Sequence, residues 1–325
     1  MPKAVVVGTG VIGTIYAAIL REQGWNISHL VRQGTVSAKP SLVYLDLLDL
    51  RKGCKRHSKR SYEYHLVETV PDDAEVVLIP VRLYQLDDVL KDLAGKLERA
   101  TAVIFTTNWA GLQPIDDALA NDNYVLADAI AGGAISGNTL TATVKPILPL
   151  GAVHPTAETR ADAVRKVFSD AGLAPKHEHD ILHWHWLQYA LNAAMWPALI
   201  EAGSARGVVK NRELLRRMMM AGNEAVRVCE ARGVAVDEYP ESRVFLNEGS
   251  GVKSRVSTWI MREAYGFVVV HSEYHRRCML HALSDPREIA VAYSSVLATG
   301  KGLDCDMPAF DSFKGTVARF QQAQR

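Results

Sequence analysis

The stretch that decides the fold lies at the start of the chain: Lys3-Ala-Val-Val-Val7-Gly8-Thr9-Gly10-Val11-Ile12-Gly13. Lys3 to Val7 is a short run rich in β-branched residues, the form taken by a strand buried on both faces of a parallel sheet. Gly8 stops it, and from Val11 to Gln23 the apolar residues fall at helical spacing, closing at Gly24. Asn26 to Val31 then reads as a second strand, which completes a strand-turn-helix-strand unit with a right-handed crossover. A Gly-x-Gly-x-x-Gly stretch carries weight only in that setting. Within it Gly8 permits the tight turn, Gly10 lets the backbone approach a pyrophosphate, and Gly13 lets helix and strand pack closely. The N–H groups at the helix start, around Thr9, Val11 and Ile12, attract the phosphates. The stretch therefore predicts dinucleotide binding.

The end of the second strand selects the dinucleotide. An NAD site carries Asp or Glu there for the ribose 2′-hydroxyl, about 20 residues past the glycines, whereas an NADP site places Arg nearby for the 2′-phosphate. Here the strand ends Val31-Arg32, and no acid occurs between Glu22 and Asp46. Arg32 can meet a phosphate with a bidentate, charge-assisted fork, so the expected cofactor is NADPH.

Further along, strand patterns at Glu75 to Pro80, Ala102 to Thr106 and Tyr124 to Ala127 alternate with helical stretches such as Leu86 to Leu97 and Leu112 to Leu119. That alternation means an α/β layer with parallel strands. Between Ala131 and His154, glycines and a Thr-rich alternating run suggest antiparallel strands capping the same sheet. From Ile181 onward helical patterns take over, over Ile181 to Ala202, Arg212 to Arg232 and Trp259 to Leu283. The expected fold is α/β: a Rossmann-type dinucleotide-binding domain over residues 1–176, then an all-helical domain over residues 177–325. The polar stretch Pro175 to His179 has the chemistry of an exposed linker between them.

Composition agrees with this and narrows the partners. A chain of 325 residues is long enough for about two domains. With 48% hydrophobic and 22% charged residues it is a packed globular chain rather than a disordered one. The net charge is +1 and no block of like charge occurs, so neither nucleic acid nor a membrane is the expected partner. The locally basic stretch Arg51 to Arg60 reads as a solvated loop between strands or as a site steering a phosphate-bearing ligand. Four widely spaced cysteines without a Cys-x-x-Cys pair argue against a zinc knuckle or a disulfide framework, and fit reduced thiols in a cytoplasmic protein. Ala4 to Leu20 is almost free of charge, but its spaced glycines read it as strand and helix rather than a leader.

The glycine stretch, Arg32, Pro80-Val-Arg82 at one strand end and Thr107-Asn108-Trp109-Ala-Gly111 at the next together resemble the ketopantoate reductase family, and the helical half beginning Asp180-Ile181 extends the likeness to the whole chain. The resemblance implies a small-molecule substrate bound between a Rossmann domain and a helical substrate and dimerisation domain, with a homodimer as the assembly. It places Gly8, Gly10 and Gly13 on the pyrophosphate, Arg32 on the 2′-phosphate, Arg82 where the family's Lys meets the cofactor, and Asn108 beside the nicotinamide and substrate. Asn at a strand end also serves turns for its own backbone reasons.

In the helical half the pattern departs from the family. The family's Trp-x-Lys-x-x-x-Asn-x-x-x-Asn-Pro becomes Trp186-x-Gln188-x-x-x-Asn192-x-x-x-Trp196-Pro197, so the Lys that protonates the substrate is Gln188 here. Loss of a general acid costs about 10²–10⁴-fold in rate. His185, Gln188, Tyr189 and Asn192 share a helical face, and His185 is the candidate to supply the proton near neutral pH. Ser257 matches the family's later Ser, Met261 stands where its Asp would be, and Ser272-Glu273 resembles its Thr-Glu, with Glu273 on a substrate hydroxyl. His271 and His275 lie four apart, but a third ligand is not identifiable and no metal is expected.

Three functions follow from this reading. The family points to NADPH-dependent reduction of a 2-keto acid. A C=N substrate arrives more basic and needs the missing Lys less, so an imine reductase, for instance of a cyclic imine or thiazoline in a biosynthetic pathway, is the first alternative. A non-catalytic NADPH-binding regulator is the second.

Overall fold

The computed structural model describes residues 1–53, 56–97, 99–120, 122–246 and 272–323. The chain divides into two compact units, Met1–Leu182 with Arg277–His281, and His183–Arg276 with Ala282–Arg325.

The first unit holds twelve strands and four α-helices among the described residues: β1 (Lys3–Val7), α1 (Val11–Glu22), β2 (Asn26–Leu30), β3 (Leu42–Asp49), β4 (Arg56–Glu63), β5 (Leu66–Val67), β6 (Val76–Ile79), α2 (Leu83–Leu93), β7 (Thr101–Ile104), α3 (Gln113–Asp116), β8 (Tyr124–Ala127), β9 (Ala131–Ser136), β10 (Thr139–Val144), β11 (Ile147–Gly151), α4 (Glu158–Asp170) and β12 (Ala174–His177). An eight-stranded sheet runs in the order β12-β11-β8-β7-β6-β1-β2-β5. From β5 to β8 its strands are parallel in the doubly wound order, with the reversal of chain order between β1 and β6. Every residue of β6, β7 and β8 is buried, as the apolar runs require when helices cover both faces.

The strands after Ala131 meet one expectation in part and correct the rest: β11 extends the large sheet by pairing antiparallel with β8. β9 and β10 pair antiparallel, but they do not cap the large sheet; they join β3 and β4 in a second sheet, β4-β3-β10-β9, in which β10 runs parallel to β3. Helix α1 packs between the two sheets, against β1 and β2 on one side and β9 and β10 on the other. Its residues Gly13 to Leu20 are therefore all buried, which explains why the N-terminal run carries no charge.

The basic stretch also resolves. Arg56–Glu63 is β4, the edge of the second sheet, and Arg51 is bound by Asp49, by Glu22 at 2.8 Å and by the carbonyl of Ala171 at 2.7 Å. Arg60 pairs with Glu22 as well. These partners make Arg51 and Arg60 structural ion pairs, and the charged edge strand resists pairing with another chain.

The expected linker is a strand. Ala174–His177 pairs parallel with β11, so the unit boundary falls after Leu182 rather than at residue 176. The later segment Arg277–His281 returns to this unit. There the Arg277 guanidinium donates to the carbonyls of Asp46 and Ala142 at 2.8 and 2.7 Å and to the Asp46 carboxylate at 3.1 Å. Gly132 of β9 permits the approach, since a Cβ there would lie 3.0 Å from the Cys278 backbone.

Among its described residues the second unit is helical. Its elements are α5 (Ile181–Ala202, entering from the first unit), α6 (Ala205–Lys210), α7 (Arg212–Ala231), α8 (Pro240–Leu246), α9 (Glu273–Ala282, whose Arg277–His281 belongs to the first unit), α10 (Pro286–Gly302), α11 (Pro308–Asp311) and α12 (Lys314–Gln322). Helix starts are capped as the sequence allows: Ser204 Oγ accepts from Gly207 N, Asn211 Oδ1 from Leu214 N, and Asp285 Oδ1 from Arg287 N. Glu224 of α7 accepts from Ala309 N and Phe310 N at 3.0 and 2.7 Å, supplying α11 with the cap its own sequence lacks. No described helix is long and apolar enough to cross a membrane.

Candidate dinucleotide-binding site

The glycine loop sits where β1 ends, at the reversal of strand order, the position at which doubly wound sheets bind nucleotides. Gly8 takes φ +83°, the left-handed conformation that only glycine adopts without strain, and its N–H donates to Leu30 O at 2.8 Å. Gly10 is extended and caps α1, and a Cβ placed on it would meet nothing within 4 Å. Open space above that residue fits a ligand's close approach. A Cβ on Gly13 would lie 2.6 Å from Val6 Cγ1 and 3.0 Å from Pro80 Cγ, so the third glycine serves the contact of α1 with the sheet. The N–H groups of Val11, Ile12 and Gly13 open α1 without helical acceptors, which makes this end of the helix ready for an anion. The residues present thus fit a dinucleotide pyrophosphate.

Arg32 is exposed just past β2, in a turn closed by Thr35, whose N and Oγ1 both donate to Arg32 O. The same turn holds a group that sequence reasoning missed. Gly34 N donates to Glu68 Oε1 at 2.7 Å, because β5 pairs with β2 and delivers the residue after Val67 to this corner. No acid stands nearby in sequence, but a two-residue apolar strand ending in Glu, Leu66-Val-Glu68, is a signal that could have found it. Arg82 follows β6 and caps α2, with its N–H donating to Gln85 Oε1.

Past the end of β7, Thr106 Oγ1 donates to Val81 O at 2.7 Å and ties the ends of β6 and β7 together. Asn108 is buried and engaged with its own loop: Oδ1 accepts from Ala110 N and Gly111 N at 3.0 and 3.3 Å, and Nδ2 donates to Gly111 O. Its carboxamide therefore shapes the 108–111 turn, in which Gly111 takes φ +111° and Trp109 is buried. Asp128, directly after β8, is a second group the sequence reading passed over. Burial pushes its carboxyl up to about 6, against the lowering effect of the Thr107 hydroxyl and the Ala129 N–H. The signal was an acid ending an otherwise apolar strand, Tyr-Val-Leu-Ala-Asp128.

In the second unit, α5 carries His185, Gln188 and Asn192 as expected. His185 is fully buried, and Gln188 and Asn192 are half-buried. Tyr189 is buried, and the Arg232 guanidinium lies 3.5 Å above the Trp186 ring. Two donors on this helix, Gln188 Nε2 and Trp186 Nε1, are buried without a hydrogen-bond partner among the described residues. Glu273 opens α9 and is half-buried. Ser257, Met261 and His271 lie outside the described residues. Among the described residues no group of three His, Cys, Asp or Glu could hold a metal ion.

The first unit therefore gathers Gly8, Thr9, Gly10, Val11, Ile12, Gly13, Arg32, Arg82 and Asn108 along the C-terminal ends of β1, β2, β6 and β7. The second places His185, Gln188 and Asn192 on one helix.

Residues 4–143 match the family model of ketopantoate reductase PanE/ApbA. No curated protein matches by sequence. Among solved structures, D-mandelate dehydrogenase in a ternary complex with NADH and anilino(oxo)acetate superposes with a TM-score of 0.70 at 13% identity, covering 99% of this chain and 99% of that one. A 2-dehydropantoate 2-reductase from Geobacter metallireducens GS-15 gives 0.70 at 13% identity, covering 98% and 99%. A dimeric ketopantoate reductase from Staphylococcus aureus gives 0.64 at 14%, also covering 98% and 99%. At such identities the likeness is one of fold, and it extends over essentially the whole chain.

Proposed function

From a first unit of the ketopantoate reductase kind, joined to a helical second unit, we propose that this chain is a nicotinamide-dependent oxidoreductase that uses NADPH to reduce a small substrate of the 2-keto acid class. The observation that carries this reading is the open approach to Gly10 above the start of α1, with Gly8 in its left-handed turn. The cofactor supplies a hydride when bound. The chain's residues do the rest: the loop N–H groups bind the pyrophosphate, Arg32 meets the 2′-phosphate, Arg82 supports the cofactor from the end of β6, and Asn108 holds the loop at the end of β7.

On the substrate side, Gln188 offers a neutral hydrogen bond, while Asn192 and Glu273 take the substrate's polar groups. His185, one turn before Gln188, supplies the proton. A dimer is the assembly this reading implies, by analogy with the dimeric Staphylococcus aureus enzyme.

One observation favours a second reading. Gln188 carries no ionisable proton, and an imine that arrives already protonated needs none from the protein: its N–H donates, and the carboxamide oxygen of Gln188 is the group that accepts.

The test is oxidation of NADPH by the purified protein, followed at the nicotinamide absorbance, with ketopantoate, a panel of 2-keto acids and cyclic imines. Turnover of a keto acid supports the first reading, and turnover confined to imines selects the second. Tight NADPH binding without turnover on either panel leaves a cofactor-binding regulator and ends both.

A further inference from the structure

Two short chains of hydrogen bonds converge on the glycine loop from the second sheet. In the first, His29 of β2 is fully buried, with Nδ1 2.7 Å from Gly8 O and Nε2 2.8 Å from the hydroxyl of Tyr62. A carbonyl only accepts, so Nδ1 carries the proton and Nε2 accepts from Tyr62. In the second, Thr14 Oγ1 donates to Gly10 O at 2.8 Å and lies 2.9 Å from the hydroxyl of Tyr64. The one proton of Thr14 is used on Gly10, so Tyr64 donates to Thr14. Both tyrosines belong to β4 or the residue following it closely, and their rings pack edge to face on each other and on His29.

The two chains end on alternate carbonyls of the loop, and that fixes more than the carbonyls. In a planar trans peptide the C=O of one residue and the N–H of the next point in opposite directions. Holding Gly8 O and Gly10 O toward the protein turns the N–H groups of Thr9 and Val11 the other way, toward the open space at Gly10. We propose that Tyr62 and Tyr64 are positioning residues for the dinucleotide, acting through His29 and Thr14 to aim the Thr9 and Val11 N–H groups at the pyrophosphate. The proposal rests on the dinucleotide-binding reading above and adds to it a second-sheet support for the loop. Burial holds the His29 imidazole down to about 4 and pushes the Tyr62 hydroxyl up, so each keeps the protonation state that its place in the chain needs.

The test compares two ligands by calorimetry: NADPH, and adenosine 2′-monophosphate, which carries the 2′-phosphate but no pyrophosphate. Tyr62→Phe combined with Tyr64→Phe is expected to weaken NADPH about tenfold, the worth of one to two neutral hydrogen bonds, and to leave adenosine 2′-monophosphate as in the wild type. A variant merely loosened in structure would lose both ligands alike, and that result, or an unchanged NADPH affinity, overturns the proposal. His29 gives an independent pair should the double variant fail to fold. His29→Asn keeps a donor near the Nδ1 position and should retain most of the NADPH affinity that His29→Leu loses; equal affinities overturn the relay. If the wild type prefers NADH, the pair NADH and adenosine reads the same ratio. A wild type that binds no dinucleotide ends the dinucleotide reading and this inference together, whereas binding that ignores all four substitutions ends this inference alone.

Discussion

The glycine loop and helix α5 treat buried polar groups in opposite ways. Around the loop, His29 uses both ring nitrogens, Thr14 both donates and accepts, and the carbonyls of Gly8 and Gly10 are taken up. On α5, Gln188 Nε2 and Trp186 Nε1 are buried with no partner among the described residues. An unsatisfied buried donor costs about 1–3 kcal/mol, so the two regions differ by an amount that matters against the total stability of a domain. On the function proposed above, the difference matches what each would have to recognise. A pyrophosphate is the same in every dinucleotide and rewards a loop held rigid in advance, while a substrate site holds donors that only the right ligand satisfies.

The largest effect that tests the rigid side is at Gly13. Alanine there would put a Cβ 2.6 Å from Val6 Cγ1, and either α1 or β1 must move. Overpacking of this kind costs about 1–3 kcal/mol, and Gly13→Ala should lower the melting temperature and weaken NADPH binding together. Retention of both would show that α1 shifts freely and that the loop is not pre-organised. Next in size is the pair at the turn after β2. Arg32→Ala should weaken NADPH by about 10–100-fold, the worth of a charged hydrogen bond, with little change for NADH. Glu68→Gln should move the preference a few-fold the other way, toward NADPH, because it removes a carboxylate held at the same turn. Competition binding of the two cofactors reads both. Equal losses for NADPH and NADH in Arg32→Ala would remove it from the 2′-phosphate.

How much of this was legible in the sequence depended on whether a feature is local. The strand-loop-helix over Lys3–Glu22, the buried strands β6, β7 and β8, and the helices α5 and α7 each carry their own periodicity, and the structure has them where the pattern put them. The second sheet does not announce itself. Arg56–Glu63 is rich in charge because it is an exposed edge, so it reads as a loop, and nothing in Thr139–Val144 says that its partner is Leu42–Asp49 rather than the large sheet. For the same reason the roles of Glu68, Tyr62 and Tyr64 were hidden, since each acts on residues more than 30 positions away. On α5 the departure at Gln188 from the motif it resembles was visible from register alone, but the burial of its Nε2 was not.

Asp128, also in the first unit, carries the contrast into a dependence on pH. Its carboxyl is held up at about 6 by burial, with only the Thr107 hydroxyl at 3.4 Å and the Ala129 N–H to oppose it. An unfolded carboxylate titrates near 3.9, so between roughly pH 4 and pH 6 the folded state keeps a proton that the unfolded state has lost. Stability therefore falls as pH rises through that window and levels off above it. Asp128→Asn removes the loss. The variant should be more stable than the wild type at pH 7, by on the order of 2 kcal/mol, with the gain vanishing near pH 4. A gain independent of pH would mean that the carboxyl is ionised throughout.

The last effect bears most directly on α5. If Gln188 Nε2 is a donor kept for the substrate, replacing Gln188 by Leu removes an unsatisfied buried group at similar volume, and the fold should gain about 1 kcal/mol. The corresponding change at the loop, Thr14→Val, removes a group that is satisfied twice and should destabilise. Turnover should move in the opposite sense to stability at Gln188: kcat for the accepted substrate falls by about tenfold or more, the worth of one lost hydrogen bond in the transition state, while NADPH affinity stays as it was. Thermal melts and steady-state kinetics on the same preparation decide the matter. Loss of stability in Gln188→Leu would place the carboxamide in the structural framework of α5, and the two regions would then follow one rule rather than two.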